Sequence, residues 1–163
     1  MARTRGYDVW ANLMQRHKAR GYKGIRVCEE WRNSSVFLEW YEKNYEPGCD
    51  LDKDLKVPGN KLYSPDTCLF IPSTLNRKLS KLGKTSGVYW RPAKGNRQGA
   101  WRAQGLRDSG GRGSIKQSFS REECEAAYRD HKARFMDLLA IEYPEYYRLI
   151  INLKNYHLGG EPC

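Results

Sequence analysis

Residues 49–78, CDLDKDLKVPGNKLYSPDTCLFIPSTLNRK, decide how this chain is read. Asp50, Asp52 and Asp54 fall at alternate positions, with Leu51 and Leu55 at positions of the opposite parity, the period-2 pattern of a strand with one polar and one apolar side. Three carboxylates then share a face. Val57-Pro58-Gly59-Asn60 supplies the residues that break a strand and reverse the chain, and Cys68-Leu69-Phe70-Ile71 reads as the returning strand. Pro72 closes that strand, Ser73 is suited to cap a helix, and a short helix over 74–79 carries Asn76, Arg77 and Lys78. The predicted unit is strand, turn, strand, helix.

In this order, with an acidic strand end and an Asn on the following helix, the stretch resembles the ββα-metal unit of HNH nucleases, in particular phage homing endonucleases. Leu51-Asp52-Lys53 falls where that family has Leu-Asp-His, and Pro65-Asp66-Thr67-Cys68-Leu69 falls where it has a Pro-Glu-Asn-Leu-like segment. Asn76 takes the place of the helix ligand. The resemblance covers about thirty residues and implies that Asp52 and Asn76 hold Mg²⁺ (or Mn²⁺), with Asp52, Lys53 and Asn76 as the catalytic set. Lys53 stands where the family's general base, a His, is expected. A lysine with a reference pKa of roughly 10.4 is a poor base at neutral pH, and Asp50 and Asp54 beside it favour its charged form. Attack then falls to the metal's own bound water or to a bulk hydroxide, with Lys53 as a phosphate contact. The same residues also suit a solvated strand face and a helix surface, or a site that has lost catalysis.

The whole chain supports a polyanionic partner. It has 163 residues and a net charge of +10, unevenly spread: residues 1–25 carry +5, 26–82 are neutral, 83–119 carry +7 and 120–163 carry −2. Two basic segments bracket a neutral middle, a distribution suited to holding a phosphate backbone. No stretch has the apolar length of a membrane helix, which argues against a membrane partner, and the expected location is the cytoplasm. Five scattered cysteines with no CxxC pair argue against both a disulfide framework and a structural zinc site.

Before the acidic strand, Tyr7, Trp10, Leu13, Met14 and His17 recur at helical spacing, predicting an amphipathic helix over 7–20. Residues 25–28 read as a short strand. Asn33 or Ser34 then caps a helix whose apolar stripe is Val36, Phe37, Trp40 and Tyr41. The Cys-Glu-Glu-Trp segment at 28–31 and this helix also resemble what precedes the catalytic unit in phage HNH proteins. Residues 1–80 thus form the predicted HNH-like module and 81–86 a linker rich in Lys, Gly and Ser.

Beyond the linker the composition changes. Residues 87–91, 100–104 and 114–119 read as three strands, separated by a polar turn over 92–99 and a Gly-rich turn over 109–113. Ser120-Arg121-Glu122-Glu123 fits a capping box opening a long helix. Written GVYWR, WRAQ and SFSREECEAAYRDH, this part resembles the DNA-binding domain of plant ethylene-response factors, a fold also appended to phage HNH endonucleases, so 87–143 is expected to be a second module. In that family the sheet lies in the major groove of double-stranded DNA. The resemblance places Tyr89, Arg91 and Gln104 on the DNA side, with Arg102, Arg107, Arg112 and Lys116 near for phosphate. Gly105 replaces an apolar strand residue of the family. Independently, period-2 arginines on a sheet suit guanine edges and phosphates, while Trp90 and Trp101 suit packing against the helix. Residues 144–163 read as a further helix and tail, apolar enough for self-association as a homodimer.

The sequence therefore predicts an α+β protein of two small modules. Two functions fit: a phage-type HNH endonuclease cutting double-stranded DNA with a divalent metal in a bacterial host cell, or a catalytically inactive DNA-binding regulator or counter-defence factor built on the same scaffold.

Overall fold

The computed structural model describes residues 4–18, 24–83, 87–107 and 111–159. The protein is α+β, and its contacts divide it into two compact units that meet in sequence between Asn76 and Arg77.

The first unit is built on aromatic rings. Helix α1 (Arg5–Lys18) begins two residues before the predicted start, and residues 19 and 20 lie outside the described residues. Strand β1 (Arg26–Val27) leads to a 3₁₀ turn at Glu30–Arg32, whose Trp31 is fully buried. Helix α2 (Ser34–Asn44) follows, its N-terminus capped by Asn33, which accepts from the Ser35 N–H at 2.9 Å. Phe37 meets Trp31 edge-on at 5.0 Å, Trp40 lies 4.7 Å from it, and the Trp10 indole of α1 donates to the Trp31 carbonyl at 2.8 Å. Aromatic pairs of this kind supply the burial that a small module lacks in chain length.

The acidic stretch packs against this core. Strand β2 (Cys49–Asp52) pairs antiparallel with β4 (Leu69–Pro72), setting Asp50 opposite Ile71 and Asp52 opposite Leu69. The connection turns at Gly59, whose φ of +73° only glycine adopts without strain. It also contains β3 (Leu62–Tyr63), which runs parallel to β1. Helix α3 (Ser73–Gly83) starts directly after Pro72. It is longer than the predicted 74–79 and runs through the first half of the expected linker; residues 84–86 lie outside the described residues.

The second unit is the predicted three-stranded sheet and helix. Strands β5 (Val88–Arg91), β6 (Ala100–Leu106) and β7 (Arg112–Ser118) form an antiparallel sheet in the order β5-β6-β7, with a register shift between Ala103 and Gln104. Helix α4 (Arg121–Glu142) is capped by Ser120, which accepts from the Glu123 N–H at 3.2 Å, and it packs across the sheet. Helix α5 (Tyr147–His157) then folds back on α4, tied by Lys154 to Asp137 at 2.6 Å. Within the same unit, the Lys78 ammonium of α3 reaches both carboxylate oxygens of Glu142 at 2.6 and 2.7 Å.

Gly105 now has a reason. A Cβ there would run into the His131 ring of α4 and the Ile115 side chain, so its absence is what lets helix and sheet close. Overpacking of this kind costs about 1–3 kcal/mol. Gly105→Ala should lower the thermal midpoint of the C-terminal unit, and adding His131→Ala should recover part of the loss in a double-mutant cycle followed by circular dichroism.

Candidate nucleic-acid interface and carboxylate cleft

Residues directly opposite on neighbouring strands share a face of the sheet. Tyr89 stands opposite Arg102, and Arg102 opposite Gln117, making one row across all three strands. The Arg102 guanidinium donates to the Gln117 side-chain oxygen at 2.7 Å, which locks this row. Arg91, opposite Ala100, and Gln104, opposite Ser114, extend the same face in both directions. Trp101, Ala103 and Gly105 point the other way, towards α4: Ala103 is fully buried, and the Arg121 guanidinium of α4 lies 5.2 Å over the Trp101 ring. Trp90 joins that side, T-shaped against Trp101 at 5.6 Å, and stays half exposed. The sheet thus has a covered aromatic side and an open side of Arg, Gln and Tyr.

Of the seven residues proposed for DNA, Tyr89, Arg91, Arg102 and Gln104 share the open face. Lys116 does not, because it sits opposite Ala103 and reaches Glu123 on α4 at 3.4 Å. Glu123 is held below the usual carboxylate range, first by a hydrogen bond from Ser118 and then by Lys116. Arg107, just past β6, lies over Gly113, the residue opposite Gly105, and so sits at the helix side. Arg112 opens β7 at the rim, exposed, with its charge felt by the Tyr128 phenol of α4. Three residues outside the initial set join the open face. Gln117 completes the row, while Lys94 and Arg97 of the β5–β6 loop line a cleft of about 260 Å³ with Arg91, Arg102 and the exposed Phe119. The loop's charge is visible in the sequence; its folding back beside Arg91 is not.

In the first unit the helix amide meets a different carboxylate from the one expected. Asn76 Nδ2 points at Asp50 Oδ2 at 3.4 Å, and both line a cleft of about 290 Å³ shared with α1. Asp52 instead shapes the turn after β2: one of its oxygens accepts from the Asp54 N–H at 3.0 Å and the Leu55 N–H at 2.7 Å. Burial raises its pKa, against the lowering effect of those N–H groups. Lys53 is buried, and its ammonium is engaged by the Asp54 carboxylate and the Asn60 carbonyl, with the Tyr63 ring 5.7 Å away. It braces the turn from inside. Cys68, in the Pro65–Leu69 segment, is packed so deeply that burial pushes its thiol up to about 12.

Among the described residues, no group of three or more His, Cys, Asp and Glu side chains is gathered around a common point. Asp50 and Asn76 offer one carboxylate and one amide. That sparse set fits Mg²⁺, which is often bound through one or two carboxylates while water and substrate phosphate complete its octahedron. No helix among the described residues is long and apolar enough to cross a membrane. Comparison with family models, with characterised proteins and with solved structures finds no match.

The role of Asp52 in the turn can be separated from one in the cleft. Asparagine keeps an oxygen for both backbone N–H groups and carries no charge to desolvate. Asp52→Asn should therefore be at least as stable as the wild type at neutral pH, whereas Asp52→Ala should lose about 1 kcal/mol, the usual worth of such an acceptor. Because the folded-state pKa is raised, the penalty on the ionised carboxylate fades as pH falls through it, and the gap between Asp52→Asn and wild type should close there. Urea unfolding across that pH range measures both effects.

Proposed function

We propose that the protein binds double-stranded DNA through the open face of its C-terminal sheet and cuts a phosphodiester bond in the Asp50–Asn76 cleft of its N-terminal unit, as a phage-type HNH endonuclease acting in a bacterial host cell. The observation that carries this reading is the row Tyr89–Arg102–Gln117 flanked by Arg91 and Gln104 on the side that α4 leaves uncovered, with Tyr89, Arg91 and Gln117 exposed and Arg102 and Gln104 half-buried. A two-stranded ribbon or sheet face fits the roughly 12 Å major groove, and Arg and Gln suit guanine and adenine edges there. Lys94 and Arg97 add backbone contacts that hold the register of the duplex.

For cleavage, Asp50 and Asn76 would hold the divalent ion, which when bound neutralises charge on the phosphate and lowers the pKa of a coordinated water. Asn76 orients the Asp50 carboxylate through its amide. Lys53, engaged below the surface, takes no proton in this scheme. Its burial also favours the second reading, a DNA-binding protein whose strand-turn-strand-helix unit serves as a scaffold.

Supercoiled plasmid distinguishes them. With Mg²⁺ or Mn²⁺ the wild type should nick or cut it, and Asp50→Ala and Asn76→Ala should abolish cleavage while still retarding the DNA on a gel. Asp52→Asn should keep cleavage. Retardation without cutting in either metal, on several plasmids, selects the scaffold reading; plasmid neither cut nor retarded contradicts DNA as the partner.

A further inference from the structure

The cleft that holds Asp50 and Asn76 has a second wall. Helix α1 contributes Arg5, Asn12 and Arg16, which repeat at helical spacing and so line one side of the helix. Arg5 and Arg16 stand about 16 Å apart along the axis, at about 1.5 Å per residue. Each is steadied by a tyrosine of the same unit. The Arg5 guanidinium lies 5.2 Å over the Tyr45 ring, and the Arg16 side chain hydrogen-bonds to Tyr63, opposing the upward push that burial gives that phenol. Among the described residues neither guanidinium is taken up in an ion pair. Both are exposed.

We propose that this side of α1 is a second DNA contact, in which Arg5 and Arg16 each hold a backbone phosphate of the strand that passes the Asp50–Asn76 pair, with Asn12 between them. A lone carboxylate repels a phosphodiester, and two fixed guanidinium groups beside it offset that repulsion. Arginine held by an aromatic ring or a phenol loses little further freedom on meeting a phosphate. Duplex DNA carries one phosphate per roughly 3.4 Å of rise on each strand, so 16 Å of helix spans several, and the two arginines reach different ones. The contact reads backbone and not sequence.

This inference rests on the DNA reading above, and one experiment separates the two. Binding of the full-length protein to a fluorescent duplex of mixed sequence is followed by anisotropy in EDTA from low to high salt, for wild type, Arg5→Gln/Arg16→Gln, Arg5→Lys/Arg16→Lys and Arg102→Ala. Circular dichroism confirms that each is folded. Loss of two phosphate contacts should flatten the slope of log K against log salt by about 1.8 in the glutamine variant. The lysine variant should keep the wild-type slope. If the glutamine variant binds with the wild-type slope while Arg102→Ala weakens binding, α1 is no contact and the sheet reading stands. If the lysine variant loses slope as the glutamine variant does, the effect is structural and the proposal falls. No binding by wild type at any salt overturns both.

Discussion

The close approach of α4 to β6 is the constraint on which the second unit depends. Ala103 is fully buried and Gly105 has no side chain, and a larger residue at either position would lift the helix from the sheet. Once the helix is seated, strand alternation leaves no choice about the rest. Trp101 and Ala103 are turned towards α4, and Tyr89, Arg102 and Gln117 are turned outwards in a row. A surface of fixed guanidinium and amide groups is thus a consequence of apolar packing on the opposite side.

The first unit solves a different problem. It is too small to rely on aliphatic burial, so rings around Trp31 provide the core, and a very short ribbon of β2 and β4 hangs the acidic stretch on it. The turn beyond β2 is stiffened by polar groups facing inwards: Asp52 on backbone N–H groups, Lys53 on Asp54 and Asn60. That stiffness leaves Asp50, earlier on the same strand, to meet Asn76 on α3.

Local patterns carried much of this in advance. Period-2 alternation and the Ser120 cap placed the three strands and α4, and the strand-turn-strand-helix order of residues 49–78 is present, although the first strand ends at Asp52 and Asp54 falls in the turn instead of sharing a strand face with Asp50 and Asp52. What the sequence concealed is where parity or distance decides. The register shift at Ala103/Gln104 changes which β7 residues share a side with Arg102, and so Lys116 lies on the helix side while Gln117 faces out. Asp50 and Asp52 have equal standing in an alternating strand; only the three-dimensional start of α3 determines which one Asn76 reaches. A parallel pairing as short as β1 with β3 has no sequence signature, and burial of Lys53 depends on a carbonyl seven positions on, at Asn60.

The claim that the open sheet face is the DNA surface is tested most directly by titrating ¹⁵N-labelled protein with a short duplex and following amide shifts. The largest changes should fall on Tyr89, Arg102, Gln104 and Gln117 and on the Lys94–Arg97 loop, with the outer side of α4 little affected. Changes centred instead on the exposed Arg129 and Arg134 of α4, with the β5-β6-β7 row unmoved, would contradict it.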